Sequence, residues 1–562
     1  MDGEAVFSLN AVDIVIIVGS LAIVMVVGLW ASRRQGKTPR DYFLASGRLP
    51  WYIIGTAFVS TSVSSEQIVG TIGAAYDSGM AVANWEWWSM PVYAVLIVVF
   101  IPIYLRNRLA TVPELLARRF SAACGSVYTY VMLFAYVIVF MVPVLYGGSL
   151  TFSRLTGVNM PVVLLVMVAM VAVYTVKGGL MSVVWTDAVQ CLMLVGGGLI
   201  LYFVALGHVP GGWGAMVEAN PERFHLYQPA DDPVAPFAAI IAGTFGLFIF
   251  YSATNQVMVQ RVMGARSRWD GIMGIIFAGF INLLRPLVTC FLGLIVYHWV
   301  FVMKEAEPLE KMDVAFPFAL ATFAPGWGLR GVVLAGFIAA VMSTLSALAN
   351  STATIFSLDV YQKYLRPDAT DKAIVSVGRW TSFAALAIAA LLAPTVSRFG
   401  GVFQYFQTGV SYIASPLIAV ILCGVLWRRA NARGAFAGLI VGVGLTAVLL
   451  ALVVVASFVD KTDSGLSDAI AGAPWLHGFL VAFSGVHWLY IASIQEAIVI
   501  LVVIAVSLTT APPPPGQVQP FLWRPAFVWE HTREEQYPWY ASLALWFGVF
   551  AAVWFYLYWR FW

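Results

Sequence analysis

Apolar runs of roughly 20 residues, the length an α-helix needs to cross a bilayer, recur along the whole of this 562-residue chain. Lipid offers no partner for backbone N–H and C=O groups, so such runs fold as helices that satisfy themselves. Charged residues are 10% of the sequence, against about 25% in a soluble globular protein. The fold class is therefore an all-α integral membrane protein. Fourteen spans are expected, at 11–31, 51–76, 80–105, 125–152, 160–176, 180–207, 236–262, 270–302, 331–362, 378–394, 402–427, 434–458, 487–510 and 539–559.

Orientation follows from the excess of Lys and Arg in cytoplasmic loops. With the N-terminus outside, the inner loops collect most of the 31 basic residues. Among these are Arg33, Arg34 and Lys37, then Arg106 and Arg118, Arg261 and Arg266, and Arg428 and Arg429. Both termini are then expected outside a cell membrane. The acidic start MDGEAVF lacks a basic n-region and reads as leading into an uncleaved first helix. No Walker-type phosphate loop appears, so direct drive by ATP is not expected. Four scattered cysteines show no metal or redox spacing. The net charge of +3 reflects the inner-loop bias and implies no nucleic-acid partner.

The segment 51–76, WYIIGTAFVSTSVSSEQIVGTIGAAY, breaks the apolar pattern. It carries Ser60, Thr61, Ser62, Ser64, Ser65, Glu66 and Gln67 at its middle, with Gly55, Gly70 and Gly73 around them. A carboxylate at membrane depth costs about 3 kcal/mol on insertion scales and normally faces a partner or a wet cavity. Glycines and hydroxyls clustered there predict a discontinuous helix, the device by which transporters expose backbone groups to ions and substrates. A second polar interruption, at Tyr251 to Gln256, lies five spans later. Paired interruptions point to an inverted repeat with a site at the midplane.

Other intramembrane polar groups leave more than one reading open. Glu86, in NWEWWSM, suits either a snorkelling carboxylate in an aromatic belt or a polar pocket walled by rings, with Asn84 and Ser89 beside it. Asp187 either caps a helix or pairs with a loop base, or else draws a cation towards the cytoplasm. Arg285, before Pro286, reads as paired or tucked under a proline kink, and no ligand role is assigned to it. Ala340, Ser343 and Thr344 share one helix face at i, i+3, i+4. Those hydroxyls either bond helix backbone or, with carbonyls freed near Ser60 and Val63 opposite, form an oxygen cage for sodium.

With these segments in view, the chain resembles the sodium:solute symporter family over roughly residues 10–460, and within it the sodium/glucose (galactose) cotransporter branch. YTVKGGLMSVVWTD (174–187) and GVLWRRANARGAFAGLIVGVG (424–444) match the family's two signatures. SSEQIVG, WEWWS, NQVMVQR and LANSTATIF are characteristic of the branch. The resemblance implies a leucine-transporter-type fold with a 5+5 inverted repeat. It implies a sodium site from carbonyls of Ser60, Val63 and Ala340 and hydroxyls of Ser343 and Thr344, with Asp187 matching the carboxylate linked to sodium exit. Gln67, Glu86, Ser89 and Gln407 stand where the branch places hydroxyl-binding groups. Tyr251 matches the inner-gate ring, and Trp85 and Phe403 match outer-gate aromatics. Three positions depart: Phe248 replaces Asn or Thr, Ser252 replaces Trp, and Asn282 replaces a sugar-binding Lys. The pocket is still polyol-like, but its preference for glucose or galactose is left open.

The expected organisation is a first helix and basic loop (1–50), repeat halves at 51–208 and 236–430, and two additional helices (431–510). A Pro-rich inner segment (511–538) and a last helix (539–562) follow. The inner segment either lies on the inner bilayer face or serves as an ordered linker. The expected function is secondary active transport in which inward sodium flow drives uptake of a neutral sugar or polyol by alternating access. Symport of another solute (myo-inositol, a sugar acid, a nucleoside) and a non-transporting membrane sensor are the alternatives. A channel lacks its ring of repeated pore segments, and an enzyme lacks a metal motif or nucleophile–base pair.

Overall fold

The computed structural model describes residues 9–34, 36–232, 234–398, 402–456, 473–527 and 538–562; the side chains of residue 66 and of 397–405 lie outside that description. Among the described residues no strand forms, and one isolated bridge joins Leu49 to Ala265. In chain order the main helices are α1 (Ala11–Ser32), α2 (Trp51–Ser62), α3 (Ser65–Ser78), α4 (Met80–Arg106) and α5 (Ala122–Thr156). Next come α6 (Met160–Gly207), α7 (Phe237–Thr254), α8 (Gln256–Met263), α9 (Arg268–Val302) and α10 (Leu329–Leu365). The series ends with α11 (Asp371–Val396), α12 (Val402–Leu426), α13 (Ala432–Ala456), α14 (Trp488–Thr509) and α15 (Leu543–Phe561).

Twelve of these helices are long and apolar enough to cross a membrane. Two differences from that count have physical causes. The 48 residues of α6 would stretch to about 72 Å if straight, more than twice the hydrocarbon core. The chain turns back within it at Gly179, whose φ of 48° and ψ of −149° suit only glycine. Tyr174 on one arm and Ser182 and Thr186 on the other consequently meet at Gly28 of α1. α6 is thus two crossings, as expected. The 51–76 span is missing from the twelve because it is broken into α2 and α3. Counting both, the crossings number the expected fourteen.

Both predicted interruptions are present. α2 ends at Ser62, and Val63 (φ −112°, ψ 122°) and Ser64 (φ −132°, ψ 176°) are extended before α3 begins. α7 loosens into two π-helical turns, Thr244–Phe248 and Phe250–Thr254, then breaks at an extended Asn255 before α8. The start of the first broken element is tied to the end of the second. Leu49 exchanges backbone hydrogen bonds with Gly264 and Arg266, and the Asp270 carboxylate accepts from the Trp51 amide at 3.0 Å. α10 runs through the centre, 94% of its apolar window buried, whereas α1, α13 and α15 keep most of their surface outward, towards lipid.

The segment after α14 packs on protein. Trp523 donates to the carbonyls of Val425 and, through its ring, Val98, while Arg118 and Arg106 lie over the rings of Phe521 and Phe527. Of the two readings for 511–538, its described part is ordered against the ends of α4, α12 and the Val112–Arg119 helix. A further apolar helix spans Pro474–Ser484.

Close helix contacts depend on glycine. A Cβ on Gly293 would stand 2.1 Å from the carbonyl oxygen of Ile72 in α3, whereas one on Gly19 would meet nothing within 4 Å. Overpacking costs about 1–3 kcal/mol. Gly293→Ala should therefore lower the melting temperature of the detergent-purified protein, and Gly19→Ala should leave it unchanged.

Candidate substrate and ion sites

The two helix breaks free carbonyls in the middle of the bundle, and the structure answers them differently. At the second break, buried tyrosines supply donors. Tyr104 of α4 donates to the Ala253 carbonyl at 2.5 Å, and Tyr128 of α5 to that of Thr254 at 2.6 Å. Tyr136 donates to Asn255 Oδ1 at 2.6 Å. At the first break the donors are fewer than the acceptors. Ser343 Oγ lies 2.9 Å from both the Ser60 and the Ala340 carbonyl oxygens. Thr344 Oγ1 lies 3.3 Å from the carbonyl oxygens of Thr61 and Val63 and 3.2 Å from that of Ala340.

Each hydroxyl has one proton, and although the Val63 amide also donates to the Ser60 carbonyl at 3.4 Å, the Thr61 and Val63 carbonyls share the single Thr344 proton. Ser60 Oγ, also buried, has no hydrogen-bond partner among the described residues. Surplus neutral oxygens at this spacing match what a small hard cation requires. All five residues predicted for sodium, Ser60, Val63, Ala340, Ser343 and Thr344, meet here. Thr61 joins them through a carbonyl that its own side-chain chemistry does not advertise.

Thr61 also connects this cage to an ion pair. Its hydroxyl accepts from Arg261 and lies 3.4 Å from Asp187 Oδ2, which pairs with Arg261 at 2.8 Å. Both charged side chains are buried. Asp187 therefore pairs with a base, but not with a loop base. Arg261, counted among inner-loop residues from its sequence position, sits inside α8, a helix too short to be recognised as separate from the seventh span.

Beside the cage lies a cavity enclosing about 840 Å³ of non-atom space, its open mouth included. Gln67, Trp85, Glu86, Ser89, Tyr251, Asn282 and Gln407 all line it. The side chain of Phe403 lies outside the described residues. Asn84, expected near Glu86, instead bonds the carbonyls of Ala81 and Leu226 and accepts from Tyr558 of α15, a structural role.

Glu86 is not a snorkelling group. Its carboxylate pairs with Arg285 and accepts from Gln67 Nε2 at 3.0 Å and Thr289 Oγ1 at 3.4 Å. Arg285 in turn donates to Ser62 Oγ at 2.9 Å and Asn282 Oδ1 at 3.1 Å, while Asn282 donates to Tyr93 at 2.8 Å. Arg285 was not assigned to the site from sequence. Its signal was the three-residue spacing from Asn282, which puts both on one face of α9. Ser89 Oγ, buried in the cavity wall, has no hydrogen-bond partner among the described residues. Trp85 stacks on Trp488 of α14 (centroids 5.6 Å apart, 16° between planes) and tilts against Phe248 at 5.5 Å.

A bundle with two opposed broken helices, an oxygen cage at one break and a polar cavity beside it is a secondary transporter of the leucine-transporter fold. Residues 42–442 match the sequence profile of the sodium:solute symporter family, and the chain belongs to that family. It is 32% identical to a sodium/glucose cotransporter of Vibrio parahaemolyticus, over 81% of this chain and 88% of the relative. It is 29% identical to sodium/myo-inositol cotransporter 2 of Bos taurus, over 92% of this chain and 79% of the relative. In three dimensions it is similar to a substrate-bound, outward-open Na+-coupled sialic acid symporter, with a TM-score of 0.74 at 20% identity. That match covers 90% of this chain and 99% of the other. The coupled ion is sodium, and the protein is a transporter, not an enzyme.

Removing one member of a buried ion pair costs about 3–5 kcal/mol, because the other charge is left uncompensated. Asp187→Asn and Arg261→Gln should each destabilise the purified protein strongly. The double variant should lose less than the sum of the two, as read by thermal unfolding in detergent.

Proposed function

We propose that this protein uses inward sodium flow to accumulate a neutral, polyhydroxylated solute of the pyranose or cyclitol type. The observation that carries this reading is the charge balance of the cavity. Among its described lining residues the only formal charges are Glu86 and Arg285, which pair with each other. An ionic solute would find no net counter-charge. A sugar acid would have to take Arg285 from Glu86 and leave that carboxylate uncompensated. A polyol instead meets amides, hydroxyls and the outer edges of the ion pair, with the Trp85 and Tyr251 rings for its apolar faces. Hydrogen bonds to charged groups contribute about 1.5–3 kcal/mol each. The relatives named for glucose and for myo-inositol support the same class, since both solutes are rings of hydroxyl-bearing carbons.

In this reading sodium sits between α2 and α10, on Ser60, Val63, Ala340, Ser343 and Thr344. It holds the unwound segment in the shape that presents Gln67 to the cavity. The solute binds among Gln67, Glu86, Ser89, Asn282 and Gln407, with the Trp85 and Tyr251 rings beside it. Sodium leaves past Asp187. The distribution of Lys and Arg supports termini on the outer side, and the positions of the two breaks support repeat halves at 51–208 and 236–430. One sodium moving down 100 mV releases about 2.3 kcal/mol, enough for roughly fifty-fold accumulation.

The Ser343→Ala, Thr344→Ala double variant should abolish sodium-dependent uptake into proteoliposomes while keeping the native melting temperature. Unchanged sodium dependence would remove the ion-site assignment. Against a radiolabelled panel of hexoses, cyclitols, sugar acids and nucleosides, the unmutated protein should take up a neutral polyol. Arg285→Gln should weaken that uptake at least tenfold. Uptake of a sugar acid alone would overturn the neutral-solute reading.

A further inference from the structure

Glu496 of α14 is an intramembrane carboxyl that neither the ion cage nor the solute cavity uses. Its residue is 4% exposed, and among the described residues it has no hydrogen bond or ion pair; Oε1 is fully buried. An ionised carboxylate left in this way costs several kcal/mol. The groups on every packed element offer no relief. α13 carries Arg433, which is exposed and stands beside Gly434, packed near Ser507 at the far end of α14. Arg428 and Arg429 follow α12, and Arg429 bonds the Leu508 and Thr510 carbonyls at that same end. α12 contributes Tyr412 and also Cys423, which lies within electrostatic reach of Glu496 and is no counter-ion. Residues Phe237–Gly243 and Thr244–Phe248 of α7 carry no titratable side chain. On α14 itself Tyr490 is turned to the Ala230 carbonyl.

The surroundings are built for the carboxyl all the same. A Cβ on Gly246 would stand 2.9 Å from Glu496 Oε2 and 3.7 Å from Ser415 Oγ, so the three groups meet at one point. The missing side chain lets the carboxyl lie directly against the π-helical turn of α7. π-Helical turns are frequent at functional sites. The next two residues of that turn, Leu247 and Phe248, line the solute cavity. Ser415 ends a polar ladder on α12. Its hydroxyl donates to the Ser411 carbonyl at 3.0 Å, and that of Ser411 to the Gln407 carbonyl at 2.7 Å; Gln407 lines the cavity.

We propose that Glu496 is a second cation site, specific for a proton, whose occupancy is coupled to the shape of the solute cavity through the α7 turn. With the proton bound, the neutral carboxyl rests on Gly246 as seen here. When the proton leaves to water, the carboxylate has to be hydrated, and the turn carrying Leu247 and Phe248 is pushed away from it. The proton-bound form is the transport-competent one, so uptake falls as pH rises through the titration of Glu496 and is retained below it.

The test uses the full-length protein in nanodiscs and proteoliposomes. Dicyclohexylcarbodiimide, which modifies protonated carboxyls in apolar surroundings, should label Glu496 at neutral pH by mass spectrometry, with labelling falling as pH rises. Wild-type uptake should drop at least fivefold on the alkaline side, and Glu496→Gln, neutral at every pH, should flatten that limb while keeping sodium dependence. The labelling needs no transported solute, so it stands or falls independently of the polyol reading. Absence of label between pH 5 and 9 in folded protein would overturn the proposal. So would an unaltered pH profile in Glu496→Gln. Protection of Glu496 by sodium at fixed pH in the Ser343→Ala, Thr344→Ala protein would replace the proton with a metal cation and overturn it as well.

Discussion

A carbonyl that leaves its helix inside a bilayer must be answered by another group, because the lipid supplies none. Much of this architecture follows from that requirement. α10 is enclosed along nearly its whole length because its Ser343 and Thr344 face the carbonyls released where α2 ends. Tyr104, Tyr128 and Tyr136 are buried because their hydroxyls face the carbonyls and the amide released where α7 ends. The two halves of the molecule break in parallel, but only one break is filled by protein donors. The other keeps an excess of oxygen lone pairs, and it is the place proposed above for sodium.

Charge is handled with the same economy. Among the described residues, Asp187 with Arg261 and Glu86 with Arg285 are the two pairs buried on both sides, and each joins different helices across the repeat. Asp187 belongs to α6 and Arg261 to α8; Glu86 belongs to α4 and Arg285 to α9. Neither pair is an isolated bridge, since Thr61 is bonded into one and Gln67, Ser62 and Asn282 into the other. The broken segment from Ser60 to Gln67 thus touches the ion cage, the Asp187 pair and the cavity pair at once. Movement of that segment is felt at all three places.

The sequence was most legible where chemistry conflicts with lipid. Serines, a carboxylate and glycines inside a 26-residue apolar stretch marked the first break, and Tyr251 to Gln256 marked the second. The i, i+3, i+4 spacing put Ala340, Ser343 and Thr344 on one face, but the choice between backbone bonding and an ion cage came from the family resemblance and not from the spacing. What stayed hidden depends on partners far away in the chain. Arg261 looked like a loop base until α8 proved to be a buried half-helix. Arg285 looked like a kink residue until Glu86, 199 positions earlier, was seen against it. The carbonyl of Thr61 carries no residue-type signal at all. The aromatics after Pro515 were equally readable as facing lipid or protein, since both surroundings are apolar.

α15 lies outside the repeat, yet it grips the turn of α4 that carries Glu86. Trp554 donates to the Trp87 carbonyl, and Tyr558 bonds Asn84 at 2.6 Å. Residues 84 and 87 flank the pocket carboxylate on either side, so its position depends on a helix synthesised more than 450 residues later. During biogenesis the binding chamber is accordingly among the last parts of the molecule to mature. A ribosome-bound chain that has already inserted both repeats still lacks the brace that aligns its cavity carboxyl.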